Sequence, residues 1–139
     1  MKHIVFACIH NAGRSQMAAA FFDSLADTHV ARALSAGTQP AGSVHPEVLT
    51  TMREVGFDLS RARPTLLTDE LARRASLLIT MGCGEACPAV PGVRREDWAL
   101  TDPKGCTAEE VRLIRDEIKS RVNALVLREG WELPLAPPP

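Results

Sequence analysis

Apolar and polar positions change rhythm several times along the chain, and each change marks an element. His3 to Ala7 is a short β-branched and apolar run; after a seven-residue loop, Ser15 to Ala26 is rich in Ala, Phe, Met and Leu. The first pattern predicts a buried strand and the second a helix, with Met17, Phe21 and Leu25 recurring every fourth residue as a core-facing stripe. Ala31 to Ala36 reads as a second strand, ended by Gly37. Pro46 to Val55 opens with a residue suited to a first helical turn and carries Val48, Leu49, Met52 and Val55 at helical spacing, with Gly56 as its stop. A short helix follows at Leu66 to Ala75, capped by Thr68 or Asp69. Ser76 to Thr80 is the clearest buried strand, and Glu96 to Leu100 a shorter fourth one.

Thr107 followed three residues later by Glu110 forms a capping box. The helix it opens has Val111, Ile114, Ile118, Val122 and Leu125 along one face. Beyond Gly130 the tail is rich in proline and cannot continue a helix, so we expect one domain over residues 1–130 and a Pro-rich tail over 131–139. Neither an internal repeat nor an inter-domain linker is visible. Strands alternating with helices predict an α/β fold with a parallel sheet, right-handed crossovers and a ligand beyond the carboxyl ends of the strands. The loops after the first and third strands contain Cys8 and Cys83.

Composition narrows the function. With 139 residues, 45% of them hydrophobic, the chain can bury one sizeable core. A net charge of −1 without a long basic block argues against a nucleic-acid partner. The opening apolar run is too short for a signal sequence or a membrane span, so we expect a cytoplasmic protein with no membrane partner. In a reducing compartment four cysteines read as catalytic, redox or metal-binding groups before they read as structural disulfides.

The run Cys8-Ile9-His10-Asn11-Ala12-Gly13-Arg14-Ser15 sets a cysteine at a strand end, ahead of an Arg-Ser pair that opens a helix. Backbone N–H groups of such a loop can point inward as a nest, to which the helix N-terminus adds its positive end. We therefore assign oxyanion binding to Ile9, His10, Asn11, Ala12, Gly13, Arg14 and Ser15. Tight closure calls for left-handed dihedrals, which Asn11 and Gly13 tolerate. Arg14 can clamp two oxygens of a tetrahedral oxyanion with its planar fork, and the same positive field favours Cys8 as a thiolate nucleophile. Ser15 has two readings, a donor to the Cys8 sulfur or a helix cap. His10 also has two, a contact to substrate or partner, or an exposed loop histidine.

This string, continued by Gln16-Met17-Ala18, resembles the anion loop of the low-molecular-weight tyrosine phosphatase superfamily, and within it the arsenate reductase branch. Ser35-Ala36-Gly37-Thr38, Gly56-Phe57-Asp58-Leu59-Ser60, Met81-Gly82-Cys83 and Asp97-Trp98 extend the resemblance over nearly all of the chain except the proline tail. It implies a four-stranded parallel sheet flanked by helices, and reduction of arsenate to arsenite in arsenic detoxification, with phosphate or sulfate as competing anions. It also implies that Asp102 is the acid that protonates the departing oxygen. An Asx turn at Asp102-Pro103 is the other reading of that residue.

The same resemblance makes Cys83 and Cys87 the carriers of oxidation. Attack of Cys83 on an arseno-Cys8 adduct releases arsenite and leaves a Cys8 to Cys83 disulfide; exchange with Cys87 then frees Cys8. No bound cofactor is implied, and the reducing equivalents come from thioredoxin or from a low-molecular-weight thiol such as mycothiol. Alternatively Cys83 and Cys87 are half of a zinc site completed by Cys106 or a histidine, although no second close pair supports this. Cys106 otherwise reads as incidental. Some relatives hold potassium beside the loop; Asn11 and Ser35 match that pattern, but Met17 to Ala20 supplies no acidic ligand, so no metal is expected. Two other functions stay open: a phosphomonoesterase using only Cys8, Arg14 and Asp102, for which a chain without tyrosine builds a poor aromatic slot, and a non-catalytic redox or anion sensor.

Overall fold

The computed structural model describes residues 1–82 and 90–134. Four strands, β1 (Lys2–Cys8), β2 (Ala31–Gly37), β3 (Leu77–Thr80) and β4 (Arg94–Asp97), form one sheet in the order β2-β1-β3-β4. Every pairing is parallel. The helices are α1 (Arg14–Leu25), α2 (Pro46–Arg53), α3 (Asp69–Arg73) and α4 (Ala108–Glu129). The α/β fold with a four-stranded parallel sheet is therefore as expected.

Strand β1 is central and covered on both faces, which is why it reads as a continuous apolar run. Its side chains alternate between two cores. Ile4, Phe6 and Cys8 join Met17 and Phe21 of α1, Val48 and Met52 of α2, and Val111, Ile118 and Val122 of α4. Val5 and Ala7 face the other way, toward Leu67, Ala72 and Ala75 around α3. Phe6 meets Phe22 and Trp98 at ring centroid distances of 5.8 and 5.9 Å. Burying a side chain of this size stabilises the fold by about 1.5–3 kcal/mol.

Two boundaries differ from the sequence reading for physical reasons. Strand β4 lies at Arg94–Asp97 rather than at residues 96–100, because an edge strand paired on one side tolerates charge. The apolar Trp98 and Leu100 that suggested the later position are buried just beyond its end. At the C-terminus, packing continues past residue 130. Trp131 is 4% exposed, meets Phe22 edge to face and accepts through its carbonyl from the Asp27 N–H at 2.7 Å, and Glu132 bridges to Ala26.

Helix α4 starts on the capping box of Thr107 and Glu110 and ends at Gly130, which holds φ of +73°. Arg115 donates to the Thr51 carbonyl at 2.8 Å and to Glu54 at 3.0 Å, tying α4 to α2. Near its C-terminus Glu129 pairs with Arg94 at 2.8 Å, and Arg128 pairs with Glu96, tying α4 to β4. Hydrogen bonding from Arg94, and then from Arg128, lowers the Glu129 pKa to about 2. No helix among the described residues is long and apolar enough to cross a membrane.

Candidate active site at the end of the central strand

The chain leaves β1 at Cys8 and enters α1 at Arg14, with no side-chain cap and no acidic residue in the first helical turn. The first N–H groups of α1 are thus open to an anion. Between the two elements every carbonyl is held from outside. Thr38 N–H donates to Cys8 O at 3.3 Å, Gln39 N–H to Ile9 O at 2.8 Å and Ala41 N–H to His10 O at 2.9 Å. The Gln16 amide donates to Asn11 O at 3.1 Å. His45 N–H donates to Ala12 O at 2.9 Å and Met17 N–H to Gly13 O at 3.0 Å. Within one trans peptide the C=O and the following N–H point in opposite directions, so carbonyls drawn outward turn the N–H groups inward. None of the N–H groups of Ile9 to Gly13 donates to another group among the described residues. Such an arrangement of backbone N–H groups can hold an anion.

Closure of this loop uses one left-handed residue, Asn11, with φ of +49°. Gly13, expected to be another, holds φ of −146° instead. Its lack of a side chain serves a contact: a Cβ there would fall 2.6 Å from Cγ of Pro103. Gly37, at the end of β2, is needed for the same kind of reason, since a Cβ would meet Ile9 O at 2.6 Å and Asn11 N at 2.9 Å.

Cys8 is buried, and its Sγ lies 2.9 Å from Oγ of Ser15. The neighbours leave the Ser15 proton available for that bond. Oδ1 of Asn11 accepts from the Thr65 N–H at 2.9 Å, which turns its Nδ2 toward Ser15, where it donates to Oγ at 2.6 Å. With one lone pair of its oxygen used in this way, Ser15 can direct its proton to the Cys8 sulfur.

Arg14 is 5% exposed and donates through Nη1 to the Leu100 carbonyl at 3.1 Å. Its Nη2 lies 3.7 Å from Oδ2 of Asp102, whose side chain is 42% exposed. Of the two readings of Asp102, the Asx turn is present. Oδ1 accepts from the Lys104 N–H at 3.0 Å as an Asx turn, and Oδ2 faces Arg14. Gly82 backs the guanidinium, with φ of +88°.

His10 is half-buried and its Nδ1 sits 3.1 Å from the Gln39 carbonyl. Cys106 packs against the main core and its Sγ contacts Asp102 O at 3.4 Å. Cys83 and Cys87 lie outside the described residues. Among the described residues no group of three His, Cys, Asp or Glu side chains could hold a metal. Sequence reasoning missed Gln16, Thr65, the Leu100 carbonyl and the close approaches of Pro103 and Gly82. Gln16 alone had a visible signal, as a polar residue inside the first turn of an apolar helix.

A model of low molecular weight phosphotyrosine protein phosphatases matches residues 3–132. The chain belongs to this family. It is 37% identical to a protein of Staphylococcus aureus (strain Newman) named arsenate reductase, over 85% of this chain and 91% of that one. A solved thioredoxin-dependent arsenate reductase of Corynebacterium glutamicum superposes with a TM-score of 0.80 and 37% identity; the match covers 94% of this chain and 62% of that longer one. A structure titled as an arsenate reductase in the phosphate binding state superposes with a TM-score of 0.77 at 30% identity, over 92% of this chain and 98% of that one. The family match thus spans nearly the whole described chain.

Proposed function

We propose that this chain reduces arsenate to arsenite in the cytoplasm, as a step of arsenic detoxification, with thioredoxin as the electron donor. One observation carries the reading: Sγ of Cys8 lies 2.9 Å from the Ser15 hydroxyl, in a loop whose carbonyls face outward. Its likeness to proteins named arsenate reductase supports the choice of substrate.

The Cys8 thiolate attacks arsenic(V) held by the loop N–H groups and the Arg14 fork. One arsenate oxygen leaves as water with a proton from Asp102, and an S–As bond forms. The Cys83 thiolate then attacks Sγ of Cys8. The S–As bond breaks, its electron pair stays on arsenic, and arsenite leaves behind a Cys8 to Cys83 disulfide. Cys87 exchanges onto Cys83 and releases Cys8, and the dithiol of thioredoxin reduces the Cys83 to Cys87 disulfide. The parts given to Cys83 and Cys87 are supported by the sequence alone. The reaction as written needs no bound cofactor.

The test is arsenate-dependent NADPH oxidation by the purified protein with thioredoxin and thioredoxin reductase, and the same assay on Cys83→Ser. Steady oxidation that Cys83→Ser abolishes is the expected result. Full arsenite production by the variant would remove Cys83 from the mechanism, and activity only with low-molecular-weight thiols would change the donor. Phosphate-ester hydrolysis is the second reading, favoured by the family itself and by the sufficiency of Cys8, Arg14 and Asp102. It is expected as a weak side activity that Cys83→Ser leaves intact.

A further inference from the structure

We propose that Gln16 is a positioning residue of the anion loop, setting the orientation of the peptide between Asn11 and Ala12. The proposal rests on the reading of this loop as an oxyanion site. Gln16 is the third residue of α1 and is 7% exposed. A glutamine at this place in a helix commonly reaches back to the N–H of the capping residue. Here its Nε2 turns instead to three oxygens: Asn11 O at 3.1 Å, Asn11 Oδ1 at 3.1 Å and Arg63 O at 3.4 Å. All three are acceptors, so the nitrogen of the amide must face them.

The two Asn11 contacts do different work. Oδ1 has a second donor in the Thr65 N–H, so the Asn11 side chain keeps a partner without Gln16. For the Asn11 carbonyl, Gln16 is the sole donor recorded among the described residues. That carbonyl and the Ala12 N–H belong to one peptide and point in opposite directions. Holding the carbonyl outward therefore aims the Ala12 N–H into the nest. Without Gln16 the peptide is free to rotate, at a residue already in the left-handed region. The position is buried, so a side chain of the same length without donors keeps water from taking the place of the amide.

Gln16→Met keeps the length and removes the donors; Gln16→Ala opens the position to water, which can restore part of the bonding. The experiment is titration of the full-length wild type and both variants with inorganic phosphate by calorimetry, with thermal melts of each. We expect Gln16→Met to weaken phosphate binding by about tenfold or more, and Gln16→Ala by less. A merely structural role lowers the melting temperature and leaves phosphate affinity unchanged. Phosphate affinity within about twofold of wild type in both variants overturns the proposal. If Gln16→Met does not fold, Gln16→Ala decides alone: an unchanged affinity overturns the proposal and a weakened one upholds it. Failure of the wild type itself to bind phosphate refutes the anion-site reading, a different result from equal binding by all three.

Discussion

A Cβ built on Gly82 would lie 2.4 Å from Nη1 of Arg14, and Gly82 holds φ of +88°. The guanidinium is thus seated against bare backbone on one side, while the Leu100 carbonyl accepts from Nη1 at 3.1 Å. Gly82→Ala must displace the Arg14 fork and adopt a left-handed dihedral that costs roughly 1–2 kcal/mol. We expect phosphate affinity to fall by about tenfold while far-ultraviolet circular dichroism stays that of the wild type. Equal phosphate affinity would show that the guanidinium is not set by this contact.

Arg14→Lys keeps a positive charge but loses the planar fork that spreads donors over separate nitrogens, one of them held by the Leu100 carbonyl. Losing a charge-assisted hydrogen bond weakens binding by roughly 10- to 100-fold. Calorimetric titration with phosphate measures this, and an unchanged dissociation constant would take Arg14 out of the clamp.

Gly13 and Pro103 form a second close pair, joining the anion loop to the turn that carries Asp102. Gly13→Ala drives a methyl group to 2.6 Å from Pro103 Cγ and must push that turn away. A displacement of this kind, near 1 Å, can cost about 100-fold in rate. We expect kcat for arsenate reduction to fall more than KM rises, with partial recovery in the double variant Gly13→Ala/Pro103→Ala. Additive losses in the double variant would mean that the two residues do not act through each other.

The ion pairs at the end of α4 predict how stability responds to acid. The folded pKa of Glu129 is about 2 against an ordinary 4.5, held down first by the hydrogen bond from Arg94. A depressed carboxyl pKa stabilises the fold above the unfolded value, and that stability is lost as pH falls from 4.5 toward 2. Arg94→Ala should flatten the dependence of unfolding free energy on pH across this window. Because Arg94 is 57% exposed, water screens the pair, and the loss at pH 7 should stay below about 1 kcal/mol. Urea denaturation at several pH values between 2 and 6 would reveal it, and parallel curves for the two proteins would exclude the pair as the cause.

Much of the framework is legible in the chain. The apolar face Val111, Ile114, Ile118, Val122 and Leu125 of α4 is buried as its spacing requires. The left-handed Asn11 is where a short polar side chain in a tight loop belongs. Strand β4 was legible in kind and misplaced in position, because its charged residues carry no burial signal and its register is set by pairing with β3. Gly13 was legible as special for the wrong cause, since its partner Pro103 lies far away in sequence.

What the sequence determined by itself is local: the period of α1, α2 and α4, the capping box of α4, and the order of cysteine, loop, arginine and serine that makes an anion nest possible. These depend on neighbours within a few residues, where spacing translates directly into geometry. The tertiary structure alone decided the rest. Thr65 orients the Asn11 amide, Gly82 seats Arg14, Leu100 anchors it, and Pro103 packs on Gly13. Those contacts join segments that only the parallel sheet brings together at the carboxyl ends of its strands. A backbone carbonyl or a missing Cβ leaves no pattern along a chain by which such a meeting can be foreseen.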